Sequence, residues 1–235
     1  MLIFGDCYEE LEKLKDNSVS LILIDPPYLI SKKSNFTKIS EKTPDELRVK
    51  YNISIDFGEW DKDEINWNSL FNNFKRLLKE GGTLIIFYDV WKSGELKFFA
   101  DKYKFNQHRV GCWVKTNPVP VNSKINYLSN ATEYFFTFVK GKKPTFNSVY
   151  DNGFYNFPIC HGKERTSHPT QKPLSLISEL IKKHSNEGDL VLDCFAGSGT
   201  TGESCKGLNR EYILIEKDKK YFDIIESRLN STHIL

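Results

Sequence analysis

Leu21-Ile22-Leu23-Ile24 runs without polar alternation into Asp25-Pro26-Pro27-Tyr28, and this junction constrains the fold more than any other stretch. An unbroken run of Leu and Ile reads as a strand covered on both faces, as in parallel sheets. Neither proline can donate a backbone hydrogen bond, so the ladder ends there. Asp25 is then left at the carboxyl edge of a sheet, where open α/β folds bind their ligands. A plain strand and rigid turn, with Asp25 as a cap, accounts for these residues equally well. The rest of the chain decides between the two.

Strands and helices alternate throughout. Leu2–Phe4 reads as a strand, Tyr8–Leu14 as a surface helix, and Leu21–Ile24 as the next strand, a βαβ unit with parallel strands. The spacing of Leu70, Phe71, Phe74, Leu77 and Leu78 predicts a helix from Trp67, stopped by Gly81-Gly82. Strands follow over 83–88, 109–115 and 131–140, with a helix around Leu96–Tyr103 between the first two. The last third gives a helix over 174–183, a strand over 190–193, a helix from 201, a strand over 212–215 and a helix over 221–229. This alternation predicts an α/β fold with a doubly wound, mostly parallel sheet. At 235 residues it fits one domain, 1–235. Two stretches lack periodicity: about 29–66, expected to be a mobile loop, and the Gly/Pro/Asn-rich connector of about 145–167.

Composition narrows the class. No apolar run approaches ~18 residues, so no membrane span is expected. The first residues lack the basic region and cleavage site of a signal peptide. Five scattered cysteines without a C-x-x-C pair argue against a disulfide framework or a zinc site and for a reducing cytoplasm; no metal is expected. A net charge of +2 does not announce nucleic acid, so any such contact must come from local clusters. The candidates are residues 31–50, with Lys32, Lys33 and Lys38, the Lys140–Lys143 turn, and Lys163 with Arg165.

A second constellation lies near the end. Strand, Phe195-Ala196-Gly197-Ser198-Gly199-Thr200, helix, strand, Glu216 is a nucleotide-binding arrangement. Gly197 and Gly199 let the backbone approach a ligand. Glu216, ending the next strand, suits a pair of ribose hydroxyls. The spacing is not that of a phosphate-binding loop, which argues against a nucleoside triphosphate. Asp6 ends the first strand and could meet an adenine amino group, or cap the helix that follows, or both.

Together, Asp25-Pro26-Pro27-Tyr28, His168-Pro169-Thr170-Gln171-Lys172-Pro173 and Asp193-Cys194-Phe195-Ala196-Gly197-Ser198-Gly199-Thr200 resemble the motifs of DNA amino-methyltransferases. Because the tetrad precedes the cofactor loop, the chain resembles their circularly permuted beta group. Gly5-Asp6-Cys7, Phe57-Gly58-Glu59-Trp60 and Trp113-Val114-Lys115 resemble that group's accessory segments. Two departures stand out: Cys194 where the family often has proline, and a connector much shorter than the usual target-recognition segment.

The resemblance implies a Rossmann-like fold and methyl transfer from S-adenosylmethionine to the exocyclic amine of a flipped-out base in DNA. Asp25 at the head of the tetrad, rather than serine, favours adenine. The implied catalytic residues are Asp25, Pro26, Pro27 and Tyr28, with Tyr28 stacking on the base. The implied cofactor residues are Asp6, Cys7, Asp25, His168, Thr170, Phe195, Ala196, Gly197, Ser198, Gly199, Thr200 and Glu216. Lys172 is left to a phosphate or to solvent, and Cys194 to packing. Partners would be DNA, with a homodimer and a cognate restriction endonuclease also compatible. Cytosine as the target and a non-catalytic nucleic-acid-binding subunit remain alternatives. Methylation of RNA or of a protein glutamine is disfavoured, because those families usually place the cofactor motif first.

Overall fold

The computed structural model describes residues 1–27, 65–118, 128 and 130–230, with the backbone alone at Lys163. The chain forms two compact units, Met1–Pro26 with Asn66–Leu235, and Pro27–Ile65; every element named below belongs to the first. Tyr28, nearly all of the 29–66 stretch with its lysines, and Phe57-Gly58-Glu59-Trp60 lie outside the described residues.

In chain order the strands are β1 (Leu2–Phe4), β2 (Val19–Ile24), β3 (Leu78–Phe87), β4 (Asn106–Lys115), β5 (Thr132–Val139), β6 (Phe154–Phe157), β7 (Leu190–Asp193) and β8 (Glu211–Glu216). The helices are α1 (Cys7–Glu12), α2 (Trp67–Leu77), α3 (Ser93–Lys102), α4 (Leu174–His184), α5 (Thr200–Gly207) and α6 (Lys219–Asn230). One sheet takes all eight strands in the order β1-β8-β7-β2-β3-β5-β4-β6. β7 and β8, last in sequence, are inserted between β1 and β2. Only β5 runs against the others.

Every residue of β2 is buried, and successive strand side chains face opposite ways, so both faces of the sheet are covered. Two series of touching helices, α1–α2–α3 and α4–α5–α6, supply the cover. The expected doubly wound, mostly parallel sheet is what forms. Its parallel strands set Asp6, Glu216, Asp193 and Asp25 just past or at the ends of β1, β8, β7 and β2, along one edge.

Two sequence expectations need correction. α2 ends at Leu77, and Gly81-Gly82 lie inside β3 rather than stopping the helix. There the pairing slips from Val19–Leu78 to Leu21–Thr83, a bulge. Its glycines let the 140–145 turn cross at close range: Gly81 donates to Lys140 O at 2.8 Å, and Thr145 donates to Gly81 O at 3.0 Å. Second, the connector contains a strand, β6, which pairs in parallel with β4. Its four residues carry no long apolar run, and a turn bonded by Asp151 and Asn152 side chains introduces it. The Lys140–Lys143 turn does not share the edge of Asp25. Antiparallel β5 leaves that edge at Thr132 and delivers Lys140 to the other, roughly 20 Å away at strand rise. Lys140 Nζ is engaged there with Asn17 Oδ1 and Leu78 O, both at 2.7 Å.

Gly81 has φ +81°, and a Cβ on it would sit 2.8 Å from Lys143 O, whereas Gly94 in α3 has open space around it. Gly81→Ala should therefore lower stability by about 1–2 kcal/mol or more. Gly94→Ala should raise it by about 0.5–1 kcal/mol. Urea unfolding of the two variants beside the parent protein measures both signs.

Candidate active site

Asp25 follows the last residue of β2 and is partly buried, and Pro26 beside it is buried. The side chain that meets Asp25 is Lys172, whose Nζ bonds Asp25 Oδ2. On its other side Lys172 Nζ lies 3.2 Å from Glu133 Oε2, and Lys115 Nζ lies 2.8 Å from Glu133 Oε1. The ammonium also sits over the Phe87 ring, 5.1 Å from its centroid. Lys172 is only 6% exposed, so neither a phosphate contact nor a solvated position describes it. Burial alone would lower its pKa, but Asp25 and Glu133 outweigh that and raise it. Burial likewise pushes Glu133 up, and Lys172 and Lys115 bring it below the ordinary carboxylate value.

The His168–Pro173 segment is shaped by its own side chains. Gln171 Oε1 accepts from Thr166 N at 2.8 Å and Thr166 Oγ1 at 2.9 Å, while its Nε2 donates to Glu164 O at 2.9 Å. Glu164 Oε1 in turn accepts from Leu174 N at 2.6 Å, satisfying the start of α4. His168 is buried against Tyr221, with ring centroids 4.5 Å apart. Burial, then the nearby Lys172 and Arg165 charges, lower its pKa to about 4, so it is neutral at pH 7. Thr170 is half-buried beyond it.

The glycine loop is held by acids and backbone. Asp193 Oδ1 accepts from Phe195 N at 3.0 Å, and its Oδ2 accepts from Thr201 Oγ1 at 2.6 Å. Ala196 N donates to Ile215 O at 3.1 Å, and Gly197 N to Glu216 Oε2 at 2.8 Å. Glu216 Oε1 accepts from Asp218 N at 2.8 Å. Each carboxylate oxygen has a second lone pair, so these bonds leave Glu216 able to accept hydroxyls. Thr200 Oγ1 bonds Ser198 Oγ at 3.0 Å and donates to Lys172 O at 3.3 Å, which ties this loop to the His168–Pro173 segment.

The two glycines differ. At Gly197, φ +51°, a Cβ would lie 2.9 Å from His168 Nε2, so its bareness admits the histidine. At Gly199, φ +77°, a Cβ would face Ile225 of α6 at 3.0 Å. Gly199 thus serves the turn and the packing of α6. Asp6 caps α1, accepting from Tyr8 N at 2.8 Å. Cys7 opens α1 and is buried, as is Cys194 at the head of the glycine loop. Burial, then Cys7, raise the Cys194 pKa, in keeping with a packing role.

The edge thus brings together Asp6, Cys7, Asp25, His168, Thr170, residues 195–200 and Glu216. Lys172, Glu133 and Asp193 join them without having been expected. Glu133 did leave one signal: a single acid at the head of the aromatic run Tyr134-Phe135-Phe136. Among the described residues no group of His, Cys, Asp and Glu could hold a metal. No described helix is long and apolar enough to cross a membrane.

Residues 19–227 match the model of a protein family described as DNA methylase. The chain is 33% identical to the type II methyltransferase M.HinfI of Haemophilus influenzae, over 97% of this chain and 67% of that protein. It is 31% identical to the type II methyltransferase M2.MboI of Moraxella bovis, over 95% of this chain and 85% of that one. Among solved structures it resembles the M1.HpyAVI–SAM complex, at TM-score 0.70 and 28% identity, with 97% of this chain and 99% of that one covered. A cytosine-N4-specific PvuII DNA methyltransferase shares the fold at TM-score 0.75 and 18% identity, covering 100% of this chain and 87% of that one.

Asp193 gives this site a pH signature. Burial raises its pKa to about 7, against about 3.9 in an unfolded chain. Between those values the folded protein binds the proton and the unfolded chain does not, so this group's contribution to stability falls as pH rises. His168 runs the other way below about 6.5, and the group is therefore best isolated by difference. Asp193→Asn, relative to the parent, should gain stability from pH 4.5 to about 7 and level off above that in thermal melts.

Proposed function

The chain belongs to the DNA methylase family, and on that premise we propose that it methylates the exocyclic amine of adenine in DNA, using S-adenosylmethionine. The observation that carries the reading is the alignment of Asp25-Pro26, the 195–200 loop and Glu216 along one sheet edge. Glu216 and Asp25 end strands two places apart, about 10 Å across the sheet. That separation, with the glycine loop between, suits a nucleoside whose ribose lies at one end and whose reactive methyl lies at the other.

In this reading Glu216 accepts the ribose hydroxyls and Asp6 faces the adenine amino group. Cys7, Phe195, Ala196, Ser198, Gly199 and Thr200 shape the wall around the nucleoside. Gly197 keeps the loop close to His168, and His168 with Thr170 borders the amino-acid end. The bound cofactor supplies a methyl group activated on a sulfonium. An aromatic amine is a poor nucleophile because its lone pair is delocalised into the ring. Asp25 and the Pro26 carbonyl accept its two N–H bonds, which holds the nitrogen nearer to tetrahedral and concentrates the lone pair. That pair forms the new N–C bond as the S–C bond breaks, with sulfur keeping the bonding electrons, and the surplus proton leaves to water. Pro27 stiffens the turn and Tyr28 stacks on the extruded base. Aspartate at the head of the tetrad supports adenine over cytosine.

The reading extends to a cytoplasmic protein, supported by five unpaired, buried cysteines. A cognate restriction endonuclease is supported by the type II names of both relatives. A homodimer completes the reading and is checked by sedimentation.

Transfer of tritiated methyl to mixed DNA, followed by nucleoside analysis, should label N6-methyladenine. Label on cytosine would move the target, and no label on any DNA would overturn the reading. Asp25→Ala should fall below about a tenth of parental activity with cofactor affinity largely intact. Gly197→Val, strained at positive φ and pressed on His168, should weaken cofactor binding in calorimetry first. Unchanged affinity in a folded Gly197→Val protein would remove the loop from the cofactor site.

A further inference from the structure

An amine attacking a sulfonium methyl is a reaction between a neutral group and a cation, and positive charge builds on the nitrogen as the bond forms. A lysine ammonium beside the accepting carboxylate is therefore a problem: it weakens Asp25 as an acceptor and repels the charge that develops. Yet Lys172 is buried and bonds Asp25 directly. The structure also supplies an answer on the far side of that ammonium, where Glu133 Oε2 stands 3.2 Å away.

Glu133 reaches this point by topology. β5, the one antiparallel strand, begins at the edge where its parallel neighbours end, so its second residue stands beside the end of β3 and close to that of β2. Lys115, at the end of β4, holds the other Glu133 oxygen at 2.8 Å and lies over the Trp113 ring, 5.3 Å from its centroid. Asp25, Lys172 and Glu133 together carry one net negative charge. Lys115, on the other Glu133 oxygen, brings the four-residue cluster to neutrality.

We propose that Lys172 and Glu133 are positioning residues for methyl transfer: Lys172 orients the Asp25 carboxylate, and Glu133 offsets the ammonium so that its charge is not left uncompensated beside the reacting amine. This rests on the function proposed above. Other titratable groups feel the same charges: Asp193 from β7 senses Asp25, and His168, before α4, senses Lys172. A pH profile must be read with both in view, since each titrates in its own range.

The test is single-turnover methyl transfer at saturating DNA and cofactor across pH, with cofactor affinity and melting temperature as controls. Glu133→Gln keeps the shape but removes the offset, and should slow the chemical step about tenfold or more while cofactor affinity stays within about twofold. Glu133→Asp, which keeps the charge, should lose much less. Lys172→Gln leaves Asp25 and Glu133 as neighbouring carboxylates, which raises their pKa values and should move the acid limb of the rate to higher pH. Lys172→Arg should not move it. The double variant Glu133→Gln/Lys172→Gln restores a single negative charge and should bring the acid limb back, with less loss than the two single losses multiplied.

A purely structural role predicts losses that multiply and an acid limb that does not move. A parental rate in Glu133→Gln, or simple multiplication in the double variant, overturns the proposal while leaving the methyltransferase reading intact. If Glu133→Gln fails to fold, the Lys172 pair decides alone: an unshifted limb in Lys172→Gln overturns it. An active-site reading that is itself wrong shows differently, as a parent protein that transfers nothing to DNA, and the inference falls with it.

Discussion

The ion pair between buried Lys172 and partly buried Asp25 is the interaction on which this edge of the molecule depends. It joins two parts of the chain 147 residues apart, the turn after β2 and the segment before α4. Taking an ammonium and a carboxylate out of water costs several kcal/mol each, and a buried pair adds little net stability of its own. Removing one partner is another matter, at about 3–5 kcal/mol, because the other charge is stranded. The pair therefore acts as a constraint more than as a source of stability. Glu133 and Lys115 extend it to β5 and β4, so four separate segments converge on one charged cluster.

The glycine loop is fixed by a different device. Asp193 and Glu216 turn their carboxylates onto loop N–H groups, and Thr201 and Asp218 use the oxygens that remain. These bonds are made within the protein, so the loop's shape does not wait for a ligand to form it. Preorganisation of this kind reduces the ordering cost that binding would otherwise bear. The single bond from Thr200 Oγ1 to Lys172 O links this loop to the ion-pair cluster. A shift of the loop would thus be felt at the residue that orients Asp25.

Much of the architecture was legible in the sequence because it follows from local pattern. The runs Leu21–Ile24 and Leu190–Asp193 are short, apolar and followed by turn residues, and both form strands. β6 was hidden because four residues between a glycine and a proline show no period. Gly81-Gly82 misled for a physical reason: glycine ends helices and also permits close backbone crossings, and only the tertiary partner distinguishes the uses. The Asp25, Gly197 and Glu216 placements followed from strand ends, which sequence marks well. Lys172 could not be placed that way. A lysine beside a proline looks exposed until the carboxylates that bury it, distant in sequence, are in position.

The direction of one strand separates the Lys140–Lys143 turn from Asp25. β5 carries its lysine-rich end away from Asp25, and Lys140 is spent there on Asn17 and Leu78. Arg165, three residues before His168, is exposed and donates to Pro169 O at 3.1 Å. In a chain with so short a connector, the strand that supplies Glu133 to the site is the same one that removes Lys140–Lys143 from it.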